Sequence, residues 1–130
     1  MNIPKNLLFS EDHIWVYLKS DNIARIGITE FLTSEDEEIR EIILDAEEGT
    51  EIEAGDIIGE IETSDGTVEI ISPISGKVLK INQDVIDDPK IILEDPYKEG
   101  WLMEIEISKS IESFSLLSYK EYKEMLQDEK

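Results

Sequence analysis

Two apolar-rich runs, Ile57 to Thr63 and Thr67 to Ile71, face each other across Ser64-Asp65-Gly66. Asp-Gly between arms of alternating residues is a strong short-range hairpin signal, because a type I′ turn needs positive φ at both central residues. The same grammar recurs around it. Ile52–Thr63 and Ile70–Ile81 each read as strand, turn, strand, compatible with a quasi-symmetric pair, and Ala54-Gly55-Asp56 and Gly76 punctuate them. Such units commit the chain to short strands linked by glycine turns.

The rest of the chain follows that lead. Ile14, Val16 and Leu18 alternate with Trp15, Tyr17 and Lys19, the period-2 pattern of a strand with one buried face. Ser20-Asp21-Asn22 is a plausible tight turn into a partner strand, Ile23 to Ile28. Thr29 can cap a short helical turn through Phe31 and Leu32, its hydroxyl accepting a free backbone N–H. Ile39 to Leu44 and Lys77 to Ile81 read as further strands. Trp101, Met103, Ile105 and Ile107 give the cleanest alternation, with Glu104 and Glu106 outward. The tail changes period: Ser118 and Glu121 form a capping box, and Tyr119, Tyr122, Met125 and Leu126 share a helical face. Ile111, Phe114 and Leu117 suggest a helical turn before it. The expected architecture is mainly β, a small sandwich or flattened barrel with a short helix in the N-terminal half and C-terminal helices outside.

A chain of 130 residues is one domain by length, 1–130, with a core over 9–108 and a helical tail over 110–128. Hydrophobic residues at 40% against 34% charged suit a globular protein. No run approaches the ~18 apolar residues a membrane-spanning helix needs. Neither a secretory signal nor a transit peptide is visible, so the cytoplasm is the default location. Without cysteine there is no disulfide, thiolate nucleophile or zinc-thiolate site. The 32 acids and 12 bases give a net charge of −20, which repels nucleic acid and anionic membrane and favours basic protein surfaces.

Five blocks, in order, resemble the glycine cleavage system H-protein family. Phe9-Ser10-Glu11-Asp12-His13-Ile14-Trp15-Val16 is similar to its Tyr-Ser-x-x-His-Glu-Trp-Val, and Ile26-Gly27-Ile28-Thr29-Glu30 to its Ile-Gly-Ile-Thr-Asp. Glu53-Ala54-Gly55-Asp56 and Ser72-Pro73-Ile74-Ser75-Gly76 match the turns on either side of its lipoyl-attachment hairpin. Asn82 and Glu94 through Leu102 match its Asn and its Asp-Pro-Tyr-x-x-Gly-Trp-Leu. One inserted residue, around Asp45 to Glu48, keeps the blocks in register. The resemblance implies a lipoyl/biotinyl-type barrel-sandwich fold, and a non-enzymatic carrier whose lipoyl arm moves a methylamine group between the other components.

It also implies where the arm belongs. The family's attachment motif, Glu-Ser-Val-Lys-Ala, sits at the same distance from the following Pro-x-Ser-Gly as Glu62-Thr63-Ser64-Asp65-Gly66 does here. Counting back from Pro73 without a gap puts Asp65 on the acceptor lysine. A carboxylate has no amine nitrogen to acylate, so no lipoate cofactor is expected and Asp65 is predicted unmodified. The positions that help hold the loaded arm fall on Asp12, Ile14 and Glu69, and a family histidine falls near Glu35. Ile14 replaces a family glutamate and cannot accept a hydrogen bond from an amine.

The reading is therefore a binding or regulatory homologue, its implied partners being components of glycine cleavage or of another lipoate-dependent enzyme. Two alternatives stay open: a working carrier with its arm on another lysine, Lys77 and Lys80 being nearest after the hairpin, and an enzyme using carboxylates such as Asp65 and Glu62. No independent enzyme motif supports the latter. His13 is the lone histidine, most simply a structural hydrogen-bonding residue. Neither Asp84, Asp87 and Asp88 nor Glu35 through Glu38 has calcium-loop spacing, so both runs read as solvated acidic loops.

Overall fold

The computed structural model describes residues 4–32 and 38–128. Nine strands and three α-helices occupy them: β1 (Leu8–Phe9), β2 (Ile14–Leu18), β3 (Ile23–Ile28), β4 (Ile39–Leu44), β5 (Glu51–Ile52), β6 (Ile57–Thr63), β7 (Gly66–Ile71), β8 (Gly76–Ile81), α1 (Gln83–Asp87), α2 (Lys90–Glu94), β9 (Trp101–Ile107) and α3 (Tyr119–Asp128). A 3-10 turn, Ile111–Ser113, precedes α3.

The strands form a six-stranded sheet in the order β1-β2-β3-β9-β8-β5 and a three-stranded sheet in the order β4-β6-β7. The quasi-symmetric pair seen in the sequence has a clear structural meaning. β5 and β8 pair in the large sheet while β6 and β7 pair in the small one, so each unit contributes one strand to each sheet. The sheets stay open and do not close into a barrel; of the two architectures expected, the sandwich is the one formed. At the crossing between sheets the ladder gives way to turn bonds, Gly55 N–H to Ser72 O and Ser72 N–H to Asp56 O at 2.8 Å each. Pro73 follows, with no N–H to donate onward.

Between the sheets lies an aliphatic core that includes Ile14, Ile26, Ile42, Ile61, Ile70, Ile74, Val78, Val85, Met103 and Ile105. Each fully buried Ile contributes on the order of 1.5–3 kcal/mol. A second cluster, Leu7, Phe9, Trp15 and Tyr122, lies apart from it and is where α3 docks. Phe9 stacks on Tyr122 with ring centroids 4.5 Å apart, and β1 is tied to the tail by Phe9 N–H to Leu117 O at 2.9 Å. The capping box at the start of α3 is formed: Ser118 N–H donates to Glu121 Oε1 and Glu121 N–H to Ser118 Oγ.

Three expectations are corrected. Thr29 to Leu32 is a hydrogen-bonded turn rather than a helix, with Phe31 N–H on Thr29 Oγ1 and Leu32 N–H on Thr29 O. The acidic stretch around Asp84, Asp87 and Asp88 is not a loop: it lies in and beside α1. There Asn82 Oδ1 caps Asp84 N–H while Asn82 Nδ2 donates to the carbonyls of Glu99 and Trp101. Trp101 does not share the core face of Met103. A register shift between Ile26 and Gly27 intervenes, and Trp101 packs instead with the second cluster, beneath the Arg25 guanidinium, 4.8 Å from its ring.

Candidate functional site

The β6–β7 hairpin ends on Ser64 and Asp65, closed by the pair Thr63 and Gly66. The turn is not type I′: positive φ falls on Gly66 (+135°) and on neither Ser64 nor Asp65. Thr63 supplies what such a turn would otherwise lack. Its buried hydroxyl accepts from Asp65 N–H (3.1 Å) and donates to Gly66 O (2.9 Å). Ser64 adds a second anchor, with its N–H on Glu38 O (2.9 Å) and its Oγ accepting Glu38 N–H (3.1 Å). The backbone of the tip is thus held from both sides while Asp65 is exposed, and among the described residues its carboxylate has no hydrogen-bond or ion-pair partner.

Lys77 and Lys80 are not at this tip. Both lie on β8 in the other sheet, where Lys77 stands opposite Glu106 and Glu51, and Lys80 opposite Glu104. Glu62 lies on β6 with its neighbours Ile61 and Thr63 turned inward, opposite Thr67 on one side and Glu41 on the other. Asp65 and Glu62 therefore sit on an open tip and an open sheet face, without the enclosure that separates the pKa values of a catalytic carboxylate pair.

Asp12 is exposed just before β2, Ile14 is fully buried in the main core, and Glu69 is exposed on β7 between inward-facing Val68 and Ile70. Ile14 and Glu69 thus occupy opposite sides of the small sheet, Ile14 sharing the core with Ile61 and Ile70. Glu35 lies outside the described residues.

His13, between Asp12 and Ile14, has left-handed backbone with φ of +66°. That region is uncommon outside glycine, although histidine enters it more readily than most residues. Ser10 shapes the turn, accepting His13 N–H on its carbonyl and Ile14 N–H on its Oγ. The ring Nδ1 then lies 2.8 Å from the Tyr122 hydroxyl, which is also 2.8 Å from Thr29 Oγ1, while Thr29 N–H donates to His13 O. Tyr122, fully buried, is the residue that sequence reading placed on an apolar helix face without seeing its polar end.

Across the large sheet, Glu104 is buried with its Oε2 accepting from Arg25 Nη2 (2.7 Å), Arg25 Nε (3.0 Å) and Lys19 Nζ (2.9 Å). Burial alone would raise this carboxyl, but the hydrogen bonds and charges of Lys19 and Arg25 outweigh it and hold its pKa below the ordinary carboxylate value. Nearby, Tyr97 donates to Glu30 Oε1 at 3.2 Å, and burial pushes its phenol above its ordinary pKa. Trp15 Nε1–H is satisfied by Pro96 O at 2.9 Å. The aromatic motif residues are thus framework.

Two open sheets built from paired strand–turn–strand units, with an exposed hairpin tip between β6 and β7, define a lipoyl-type sandwich. A family model described as glycine cleavage H-protein matches residues 7–129. The chain is 39% identical over 127 residues to the glycine cleavage system H protein of Carboxydothermus hydrogenoformans, covering 98% of this chain and 96% of that protein. It is 38% identical over 128 residues to that of Halalkalibacterium halodurans, covering 98% of each. The crystal structure of the H protein from Mycobacterium marinum superposes with a TM-score of 0.83 at 28% identity, covering 96% of this chain and 99% of that one. The chain belongs to the glycine cleavage H-protein family. Members of this family are carriers rather than enzymes, and the chain is a carrier-type or binding protein without an active site of its own.

Proposed function

We propose that this chain is an H-protein homologue that carries no lipoyl arm and works by docking, as a binding or regulatory partner of glycine cleavage components or of another lipoate-dependent enzyme in the cytoplasm. One observation carries the reading: the exposed tip of the β6–β7 hairpin, at the distance from Pro73 where the family places its acceptor lysine, presents the carboxylate of Asp65. Lipoylation joins a lipoyl carboxyl carbon to an amine nitrogen. Asp65 has no nitrogen to offer, so the residue present does not fit the group. Lys77 and Lys80 are poor substitutes, lying within a strand of the other sheet, opposite acids, rather than on an exposed turn. Ile14, buried in the core, offers no polar contact to an arm. The framework of the family is meanwhile intact, and that framework shapes a docking surface.

The test is intact-mass measurement of the chain after co-expression with a lipoate ligase and supplied lipoate. The mass should remain unmodified. A lipoyl adduct mapped to Lys77, Lys80 or any other lysine overturns the reading in favour of a displaced carrier. A parallel assay with this chain as the sole carrier should give no glycine decarboxylation and no exchange, and turnover there overturns it equally.

A further inference from the structure

The outer faces of the two sheets handle charge in opposite ways. On the large sheet Glu104 is answered from within: Arg25 and Lys19 bind it and it stands opposite Lys80, while Glu106 and Glu51 each stand opposite a cation, Lys77, rather than another acid. On the small sheet the ladder sets Glu41 opposite Glu62 and Glu60 opposite Glu69. Like charges directly opposite one another on one face repel. Among the described residues none of these four glutamates has an ion pair or a side-chain hydrogen bond. The inward neighbours Ile42, Ile61 and Ile70 turn all four onto the same outer face.

Moving away from the Asp65 tip, that face carries Glu41 and Glu62 with Thr67, then Glu60 and Glu69 with Ile43, then Ile57 opposite Ile71. Ile57 is 49% exposed, among the most exposed large apolar side chains of the chain. Two rows of unanswered acid thus border an apolar end, on the face that continues from the hairpin tip.

We propose that the outer face of β4, β6 and β7 is a protein-docking surface whose occupant presents basic side chains around an apolar centre. This rests on the docking reading above and names the surface and the chemistry of the partner. A lysine or arginine placed between Glu60 and Glu69, or between Glu41 and Glu62, relieves a repulsion that the free chain retains. Glu104 between Arg25 and Lys19 is the same solution reached internally. An apolar group of the partner covers Ile57 and Ile71. A second copy of this chain is the wrong occupant, because it would set acid against acid.

The experiment is titration of the purified chain against each purified component of glycine cleavage and of the other lipoate-dependent enzymes from the same organism, at low and physiological salt. The variants are Glu60→Lys, Glu69→Lys and Ile57→Ser, with Glu124→Lys on α3 as a control of equal charge change elsewhere. Glu60→Lys and Glu69→Lys each turn an opposed like-charge pair into an opposite-charge pair, so neither should lower the melting temperature. Wild-type binding should weaken with salt, and each of the three face variants should weaken it on the order of tenfold, far more than the control does. Wild-type binding that the face variants leave at the level of Glu124→Lys overturns this inference and leaves the docking reading standing. No binding by any component overturns both. Sedimentation that shows a dimer, abolished by Ile57→Ser, overturns the choice of a basic partner.

Discussion

The Tyr122 hydroxyl stands 2.8 Å from His13 Nδ1, joining residues 109 apart in sequence, and 2.8 Å from Thr29 Oγ1. Its ring stacks on Phe9, so α3 is fastened to β1, to the turn before β2 and to the end of β3 by one side chain. Tyr122→Phe keeps the stack and removes the two polar bonds. It should cost about 1–3 kcal/mol, read as a lower denaturant midpoint with an unchanged slope.

Glu104→Gln tests the charge cluster of the large sheet. Because the folded carboxyl titrates below its unfolded value, its contribution is present above the unfolded pKa and is lost as pH falls through the folded one. The variant should lose about 1.5–3 kcal/mol at neutral pH, since hydrogen bonds to charged groups are the stronger kind. The gap between wild type and variant should close on acidification below the ordinary carboxylate range. Melting curves of both proteins from pH 7 to pH 3 check this, and a gap that stays constant with pH contradicts it.

Asp65→Lys should change stability by no more than about 0.5 kcal/mol, because the turn is held by Thr63, Ser64 and Gly66 and not by the Asp65 side chain. Thermal denaturation is sufficient to check it. A large loss would show that the carboxylate supports the turn.

Gly27→Ala should cost about 1–3 kcal/mol, since a Cβ there would run into the Trp15 indole that lies across it. Trp15 cannot easily move away, its Nε1–H being held by Pro96 O. A thermodynamic cycle with Trp15→Phe should show coupling between the two positions, because they are in contact.

Period-2 alternation, a local property of strands with one buried face, marked β2 and β9, and apolar runs bounded by turn residues or acids placed β3, β4 and β6 at their observed limits. The capping box of α3 was equally legible, because its two hydrogen bonds lie within four residues. So was Asp65 at the hairpin tip, since a short loop between two arms leaves little freedom in where the tip falls. The turn type was not legible: a buried hydroxyl at Thr63 and the backbone of Glu38, 26 residues from Ser64, do the holding. The helices α1 and α2 were missed because each is 5 residues long, too short for a helical period to register along the chain.

By itself the sequence determined most of the strands, the quasi-symmetric pair, the acidic surplus and a hairpin tip bearing a carboxylate, since each is set by neighbours along the chain. The tertiary structure alone decided that the sheets remain open, that Ile14 belongs to the core, and that Tyr122 meets His13 and Thr29. It also decided that Glu41 faces Glu62 and Glu60 faces Glu69 while Glu104 of the other sheet finds Arg25 and Lys19. Those outcomes depend on ladder register and on which sheet a strand joins, and a register shift such as that at Ile26 and Gly27 changes which side chains meet without leaving a mark on the local pattern.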